Sequence, residues 1–220
     1  AFAGGSVLTA LYPAMARLFH HLREDFKLLL DKGMQYTIAF YLPLAVAMHE
    51  LSPKIIVLFF GESFSTAADV LRLLTWVTFP LTLAKLFANT LVIAGRPDLD
   101  LRVNAHRLVW NVVLSYVLIA QFGMIGACWA ILLSTIASVF LQAFYLRDIA
   151  PLALSFAGLS KTCAALLVMI FALKLTSAWA LIPQALLVAG IYAAAYLMMK
   201  PFDVEDRRLL HTLGRATATA

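Results

Sequence analysis

The stretch that decides the fold is Leu108–Leu146, which reads LVWNVVLSYVLIAQFGMIGACWAILLSTIASVFLQAFYL and contains no charged residue. As a single helix it would be about 58 Å long at 1.5 Å per residue, whereas the hydrocarbon core of a bilayer is about 30 Å thick. The run must therefore fold back on itself. Gly123 and Gly126 mark the turn, because glycine adopts the backbone angles that a tight turn requires. The stretch predicts a transmembrane helical hairpin.

The composition extends this interpretation to the whole chain. Of its 220 residues, 63% are hydrophobic and 13% charged, whereas soluble domains are about 45–50% apolar and about 25% charged. A water-soluble globule is excluded, and the long unbroken apolar runs exclude a transmembrane barrel, whose strands alternate. The net charge of +5 does not indicate nucleic-acid binding, because the basic residues cluster between apolar runs. Cys128 and Cys163 have no metal-ligand spacing, and we expect neither a metal nor a cofactor.

Length alone predicts an all-α polytopic bundle of six full transmembrane helices plus a truncated N-terminal one, because a span needs about 20 apolar residues. An apolar stretch that is already under way at Ala1, without an initiator Met, indicates an internal start, so the first span is expected to be cut. The predicted spans are Ala1–Phe19 (partial), Gln35–Phe60, Ala67–Ala94, Val103–Phe122, Met124–Leu146, Lys161–Leu175 and Leu181–Met199.

Connections that contain Lys or Arg alternate along the chain with connections that contain neither. This alternation tests the order of the predicted spans. Lys and Arg are absent from Gly61–Thr66, from the Gly123 turn and from Thr176–Ala180. They occupy the other connections and the tail: Arg17, Arg23, Lys27, Lys32, Arg96, Arg102, Arg147, Lys161, Lys200, Arg207, Arg208 and Arg215. By the positive-inside rule the basic set is cytoplasmic, which predicts a cytoplasmic segment at 17–33 and a cytoplasmic tail at 201–220.

Polar residues follow helical spacing in three consecutive spans, so each span is predicted to have one polar face. The sets are Thr75, Thr78, Thr82, Lys85 and Asn89; Asn104, Arg107, Asn111 and Ser115; and Thr135, Ser138, Gln142 and Tyr145. Hydroxyl and amide groups commonly bond between packed helices at about 0.6 kcal/mol each. Their alternative role is to line a wet path through the bundle.

Lys85 carries the stronger functional signal. It is predicted near the bilayer midplane, where a lysine costs roughly 2.5–3.5 kcal/mol and normally faces a cavity, a partner or a substrate path. A cationic contact for an anionic substrate is one reading and a buried ion pair the other. Arg107, predicted about one turn below the cytoplasmic boundary, could bind a phosphate through its planar fork or reach lipid headgroups.

Two further motifs have weaker implications. His49 and Glu50, followed by Pro53 and Lys54, interrupt an apolar span and suggest a proton- or cation-responsive site. The alternative is that the span ends early and that Ile55–Phe60 re-enters the membrane or lies along its surface. Asp98 and Asp100 mimic the DxD pair with which some glycosyltransferases hold a metal-bound diphosphate. No GxSxG, HExxH or P-loop occurs, and we expect no enzyme activity.

Several stretches resemble a known transporter family in their order and spacing. They are Leu11-Tyr12-Pro13-Ala14-Met15-Ala16-Arg17-Leu18, Leu42-Pro43, Ile55-Ile56-Val57-Leu58-Phe59-Phe60-Gly61-Glu62-Ser63-Phe64, Leu91-Val92-Ile93-Ala94-Gly95-Arg96, Asn111, Phe122-Gly123-Met124-Ile125-Gly126-Ala127 and Glu205-Asp206-Arg207-Arg208-Leu209-Leu210. The chain resembles the oligosaccharide flippases of the multidrug/oligosaccharidyl-lipid/polysaccharide exporter superfamily.

The resemblance implies the C-terminal portion of a transporter of two helical lobes, about twice this length. Residues 1–146 would be a partial C-terminal transport lobe and 147–200 an additional helix pair. The implied activity is the flipping of polyisoprenoid-diphosphate-linked oligosaccharide by alternating access in a bacterial inner membrane, with the missing N-terminal lobe and the bilayer as partners. In such a transporter the polar residues would bind sugar hydroxyls along the path: Thr82, Asn89, Asn104, Asn111 and Gln142. A multidrug or cation antiporter, a membrane glycosyltransferase using Asp98 and Asp100, and a non-transporting assembly or scaffold protein stay open as alternatives.

Overall fold

The computed structural model describes the backbone of residues 23–149 and 156–198, and side chains within 26–149 and 158–198. These residues form helices and no strand. The helices are α1 (Arg23–Phe60), a 3-10 turn (Glu62–Phe64), α2 (Ala67–Ile93), α3 (Pro97–Leu146), α4 (Phe156–Leu175) and α5 (Leu181–Met198). The five α-helices are long and apolar enough to cross a membrane. The predicted all-α membrane bundle is confirmed in this outline.

Helix α3 is a hairpin of two arms, residues 97–122 and 124–146. Gly123 interrupts it with φ 59° and ψ −135°, outside the helical region. The side chain of Gln142 bonds to Asp100, which lies 42 residues earlier; in a straight helix the two would be about 63 Å apart. Asn111 and Ser134 also meet across the arms. The predicted reversal at Gly123 is confirmed.

The predicted count of six full spans plus a truncated one is not matched by the five helices. Val103–Phe122 and Met124–Leu146, predicted as separate spans, belong to the single element α3, because Gly123 turns the chain without a loop. The predicted truncated span at 1–19 and the tail at 201–220 lie outside the described residues.

Helix α1 corrects two boundary predictions. Residues 23–33, predicted as part of a separate segment, are continuous with the span as the first turns of α1, and Phe26 and Leu30 are buried in the core. The helix also does not end near Pro53 but continues to Phe60. Proline removes one backbone donor, yet Leu51 and Ile56 on either side of it are buried, and this packing holds the helix together.

One end of the bundle, which we call the inner end, gathers the start of α1, the end of α2 and both ends of α3. A core cluster joins these four segments: Phe26, Leu29, Leu30, Met34, Leu86, Phe87, Leu91, Ile93, Leu99 and Leu146. Helix α3 packs on α2 and α2 on α1, while α4 and α5 pack on each other and on α1. The basic segments at the start of α1, between α2 and α3 and after α3 therefore lie at the same end of the bundle, as the alternation predicted for this part of the chain.

The opposite, outer end is held by a second cluster between α1, α4 and α5: Leu51, Leu166, Met169, Ala172, Leu173 and Val188. Elsewhere the helices expose large apolar side chains, among them Tyr116, which is 83% exposed on the first arm of α3. Exposed apolar surface of this extent suits helices that are surrounded by acyl chains.

Candidate functional site

Lys85 and Arg107 lie at similar depth inside the bundle. Only residues 94–96 separate α2 from α3, so Ile93 and Pro97 mark one level at the inner end. From that level Lys85 is about 12 Å and Arg107 about 15 Å into the bundle at 1.5 Å per residue. The helix of Arg107 begins at Pro97 rather than at Val103, and its first turns carry Asp98, Asp100 and Arg102.

Neither cation is neutralised within the described part of the chain. Lys85 is exposed and Arg107 half-buried, and no described residue forms a hydrogen bond or an ion pair with either. A charged side chain at the centre of a membrane-spanning helix costs about 2.5–3.5 kcal/mol on insertion scales unless it meets water or an opposite charge. Each of these cations can attract a negatively charged oxygen.

Lys85 lies on a different face of α2 from the apolar groove between α2 and α3. That groove has a volume of about 620 Å³ and includes Trp76, Pro80 and Leu83 in its lining. Lys85 follows Pro80 by five residues, which places it about 140° away around the helix at 3.6 residues per turn. The polar and apolar faces of α2 are therefore separate.

Two of the predicted site residues converge on Asp100 near the inner end. Asn104 Nδ2 donates to the Asp100 carbonyl at 3.0 Å and to its Oδ2 at 3.1 Å. Gln142 Nε2 donates to Asp100 Oδ1 at 3.2 Å from the other arm of α3. Gln142 is 3% exposed, and its Oε1 is buried with no partner among the described residues. The Gln142 bond joins the two arms, while Asn104 holds the same carboxylate from its own arm.

The remaining polar residues mostly bond within the bundle. Asn111 Nδ2 donates to Ser134 Oγ at 3.2 Å between the two arms. Thr82 is buried, and its hydroxyl donates to the Thr78 carbonyl at 2.9 Å on its own helix. Asn89 is half-buried on α2, about 6 Å from Ile93 at 1.5 Å per residue. The structure brings the α3 residues together across the hairpin, and among the described residues no hydrogen bond joins them to Thr82 or Asn89.

His49 and Glu50 lie near the outer end and differ in their surroundings. Glu50 is exposed. His49 faces α2, where its Nδ1 accepts a hydrogen bond from Trp76 Nε1 at 3.2 Å and lies 3.3 Å from the Arg72 carbonyl oxygen. Arg72 in turn bonds Asp69 at 2.9 Å. The two predicted ion-coupling residues therefore have different surroundings: His49 contacts α2, whereas Glu50 is exposed.

Asp98 and Asp100 have different partners. Arg96 pairs with Asp98 at 3.2 Å, whereas Asp100 accepts bonds from Asn104 and Gln142. Among the described residues no group of three or more His, Cys, Asp and Glu side chains could hold a metal ion. Neither carboxylate is presented as an open ligand in this arrangement.

Sequence reasoning missed the role of Lys54. Its Nζ donates to the carbonyls of Ser177 and Trp179 at 2.7 Å each and to Gln184 Oε1 at 2.5 Å. Gln184 Nε2 donates in turn to the Leu173 carbonyl at 3.1 Å. The lysine thus fastens the α4–α5 connection to α1. The acceptors are 123 to 130 residues away in sequence, and spacing along one helix carries no information about such distant partners. The one related signal is that Thr176–Ala180 contains no Lys or Arg of its own.

An apolar groove of about 720 Å³ lies between α1 and α5. Phe40 and Leu44 of α1 face Ala189 and Tyr192 of α5 in its lining. Tyr192 closes one side of it by donating its hydroxyl to the Ala39 carbonyl at 2.5 Å. The groove can take up an extended hydrocarbon chain.

Comparison with known proteins adds one relative. No known protein-family model matches this chain. It is 28% identical over 131 residues to the uncharacterized membrane protein MJ1068 of Methanocaldococcus jannaschii; the match covers 58% of this chain and 25% of that protein. The chain thus spans about a quarter of the length of the curated relative that it matches. Together with the five apolar helices, this similarity supports the conclusion that the chain is a multi-pass membrane protein.

Proposed function

We propose that this chain belongs to a transporter that flips polyisoprenoid-diphosphate-linked oligosaccharide across a bacterial inner membrane by alternating access. The substrate has three chemically different parts: a dianionic or more highly charged diphosphate, a hydroxyl-rich glycan and a long hydrocarbon chain. Each part needs a matching surface within the membrane.

The observation that carries the proposal is the pair of cations. Lys85 and Arg107 lie about 12 and 15 Å into the bundle at 1.5 Å per residue, and no described residue neutralises them. A diphosphate supplies several negative oxygens, which an ammonium and a planar guanidinium can bind together. Binding of the anion would offset the cost of holding these charges in a low-dielectric region.

Two further features fit the other parts of the substrate. The groove between α1 and α5 is lined by apolar side chains and would hold the hydrocarbon chain. Asn89 is half-buried, and its amide would be available for glycan hydroxyls near the inner end. Asn104 is exposed, and its Nδ2 is bonded to Asp100, so it would offer its Oδ1. The resemblance to oligosaccharide flippases points to the same substrate class.

The rival functions have less support. An antiporter for cations would favour acidic groups inside the membrane, and Glu50 lies exposed near the outer end of α1. A glycosyltransferase would need Asp98 and Asp100 free for a metal-bound diphosphate, and both are bonded to other side chains. We therefore prefer transport, without enzyme activity.

The topology that accompanies this proposal counts six crossings in the described part of the chain, because each arm of α3 is long enough to span. The inner end would be cytoplasmic, by the positive-inside rule, and with it the C-terminal tail. The missing N-terminal lobe would supply the other wall of the cavity.

The deciding experiment changes the two cations in the complete protein. We expect Lys85→Ala and Arg107→Ala each to abolish glycan export in cells and to weaken binding of undecaprenyl diphosphate in nanodiscs at least tenfold, with membrane abundance unchanged. Lys85→Arg keeps the charge and should retain partial export.

Lys174→Ala is the matched control, since Lys174 is an exposed lysine in the last turn of α4. It should leave export and binding intact. Normal export by both alanine variants at Lys85 and Arg107 would remove the proposed mechanism.

A further inference from the structure

We infer that the inner half of α5, residues 190–198, is a flap over the groove between α1 and α5. The flap is hinged at Gly190 and held closed by the hydrogen bond from Tyr192 to the Ala39 carbonyl. The inference adds a means of opening to the groove that the proposed function assigns to the hydrocarbon chain, and it rests on that function only for the identity of the occupant.

The two halves of α5 are held in different ways. In the outer half Gln184 and Val188 are buried. Gln184 bonds to Lys54 and to the Leu173 carbonyl, and Val188 belongs to the cluster between α1, α4 and α5. In the inner half no residue from 189 to 198 is buried. Because segments with few buried contacts open at a lower free-energy cost than packed ones, the inner half is the part of α5 that can move.

Gly190 lies where the two halves of α5 meet. A Cβ at this position would meet no atom within 4 Å, so no close approach of another helix calls for a glycine here. Glycine is the weakest helix former after proline. The helix is therefore least stable directly after its last buried residue, Val188, which is where a hinge has to lie.

The bond from Tyr192 depends on a proline of α1. In a regular helix the Ala39 carbonyl would accept the N–H of residue 43, but Pro43 has no N–H. The Tyr192 hydroxyl takes its place at 2.5 Å. A carbonyl oxygen can only accept, so the tyrosine is the donor. A backbone carbonyl without a partner is costly inside a membrane, and this cost favours the closed flap.

The flap forms one wall of the groove. Tyr192, Ala193, Tyr196 and Leu197 are among the lining residues. The rings of Tyr192 and Tyr196 are stacked, with 5.9 Å between centroids and 13° between planes, so they would move together. Leu197 is 58% exposed, and Phe40 on the α1 wall is 57% exposed, so the groove opens on the outside of the bundle. An open flap would admit a hydrocarbon chain sideways from the bilayer.

Distances between spin labels measure the flap in the complete protein, in nanodiscs and without substrate. The labels are attached to single cysteines in a background that lacks the two native ones. Leu101→Cys on the first arm of α3 and Ala194→Cys on the flap, both at exposed positions, form the reporting pair. Leu101→Cys with Leu186→Cys forms the matched control pair, because Leu186 is equally exposed but precedes Gly190.

Tyr192→Phe removes only the hydroxyl that holds the flap closed. We expect it to raise a second population of distances in the reporting pair about three- to tenfold, the factor that corresponds to one side-chain hydrogen bond between membrane helices. The control pair should keep its distances. Gly190→Ala stiffens the hinge and should lower the second population. Tyr116→Phe, which removes the hydroxyl of an exposed tyrosine of α3, should change neither pair.

Three results would overturn the flap: an unchanged reporting pair in Tyr192→Phe, an equal change in the control pair, or a second population that Gly190→Ala does not lower. An equal change in both pairs would mean that α5 moves as a whole. Because no substrate is present, the outcome is separate from that of the export experiment. Normal export by the Lys85 and Arg107 variants would remove the transport mechanism and leave the flap standing.

Discussion

Gln142 donates to the carboxylate of Asp100 at 3.2 Å, and this contact closes the open end of the α3 hairpin. The orientation of the amide is fixed by its neighbour, because the opposite orientation would place two acceptors face to face. Gln142 is 3% exposed, so the bond lies in a region where water competes little. The two arms are therefore joined at opposite ends by different means: a glycine turn at Gly123 and a carboxylate–amide contact at Asp100.

Gln142→Leu tests this contact. The change removes the donor to Asp100 and should lower the free energy of unfolding by about 1 kcal/mol, since side-chain bonds between membrane helices are worth about 0.6 kcal/mol on average and up to about 1.7. Reversible unfolding in mixed micelles measures it. In an Asp100→Ala background the same change should cost less, and equal costs in both backgrounds would mean that the two side chains are not coupled.

Gly126→Ala probes the close approach of the two arms. A Cβ at Gly126 would collide with the backbone carbonyl of Leu118, and neither backbone can move aside as a flexible side chain would. We expect a loss of at least about 2 kcal/mol, typical of overpacking in a tight interface, measured by the same unfolding experiment.

Gly190→Ala supplies the comparison, because a Cβ on this α5 glycine has no atom within 4 Å. It should be neutral or should stabilise by up to about 1 kcal/mol through helix propensity. Equal effects of the two substitutions would show that helix propensity, not contact between the arms, governs Gly126.

The hairpin could be predicted from sequence because length alone forces it: an uncharged run of about 58 Å does not fit a core of about 30 Å. The helix limits followed from the same rule and agree with the structure within a few residues for α2 and α5. The sequence left two readings of α1 open, a span through Pro53 to Phe60 and an early end, because Pro53 is a local signal to stop, whereas the burial of Leu51 and Ile56 is a tertiary effect.

The candidate site was predictable by type but not by partner. Spacing placed Asn104, Asn111 and Gln142 on polar faces, and the structure shows two of those faces turned toward each other across the hairpin. The packing of the helices decides whether a polar residue bonds inside the bundle or stays available. Spacing along a single helix carries no information about that packing. Lys85 differs because it is exposed on α2.

Lys54→Met should loosen the α4–α5 pair. The change keeps a long unbranched side chain but removes the donor to Ser177, Trp179 and Gln184. Bonds from a charged donor are worth about 1.5–3 kcal/mol when buried, and this site is partly exposed, so we expect a loss of about 1–2 kcal/mol. Hydrogen exchange should rise in residues 176–184. Lys174→Met, which alters an exposed lysine on the same end of α4, should change neither quantity.

Cysteine accessibility tests whether the two deep cations face water. In a background of Cys128→Ala and Cys163→Ser, we expect Lys85→Cys and Arg107→Cys to react with a membrane-impermeant, negatively charged methanethiosulfonate, because an unpaired charge at this depth is stable only beside water or an anion. Undecaprenyl diphosphate should slow both reactions severalfold by occupying the same space.

Tyr116→Cys serves as the comparison for that experiment. Tyr116 is 83% exposed and lies about 140° around the first arm of α3 from Asn111, at 3.6 residues per turn; its exposure is therefore expected to face acyl chains. A thiol in hydrocarbon is not ionised and meets no reagent, so this variant should stay unmodified. If Lys85→Cys is as unreactive as Tyr116→Cys, the lysine faces lipid rather than an aqueous path, and an anionic substrate cannot pass it.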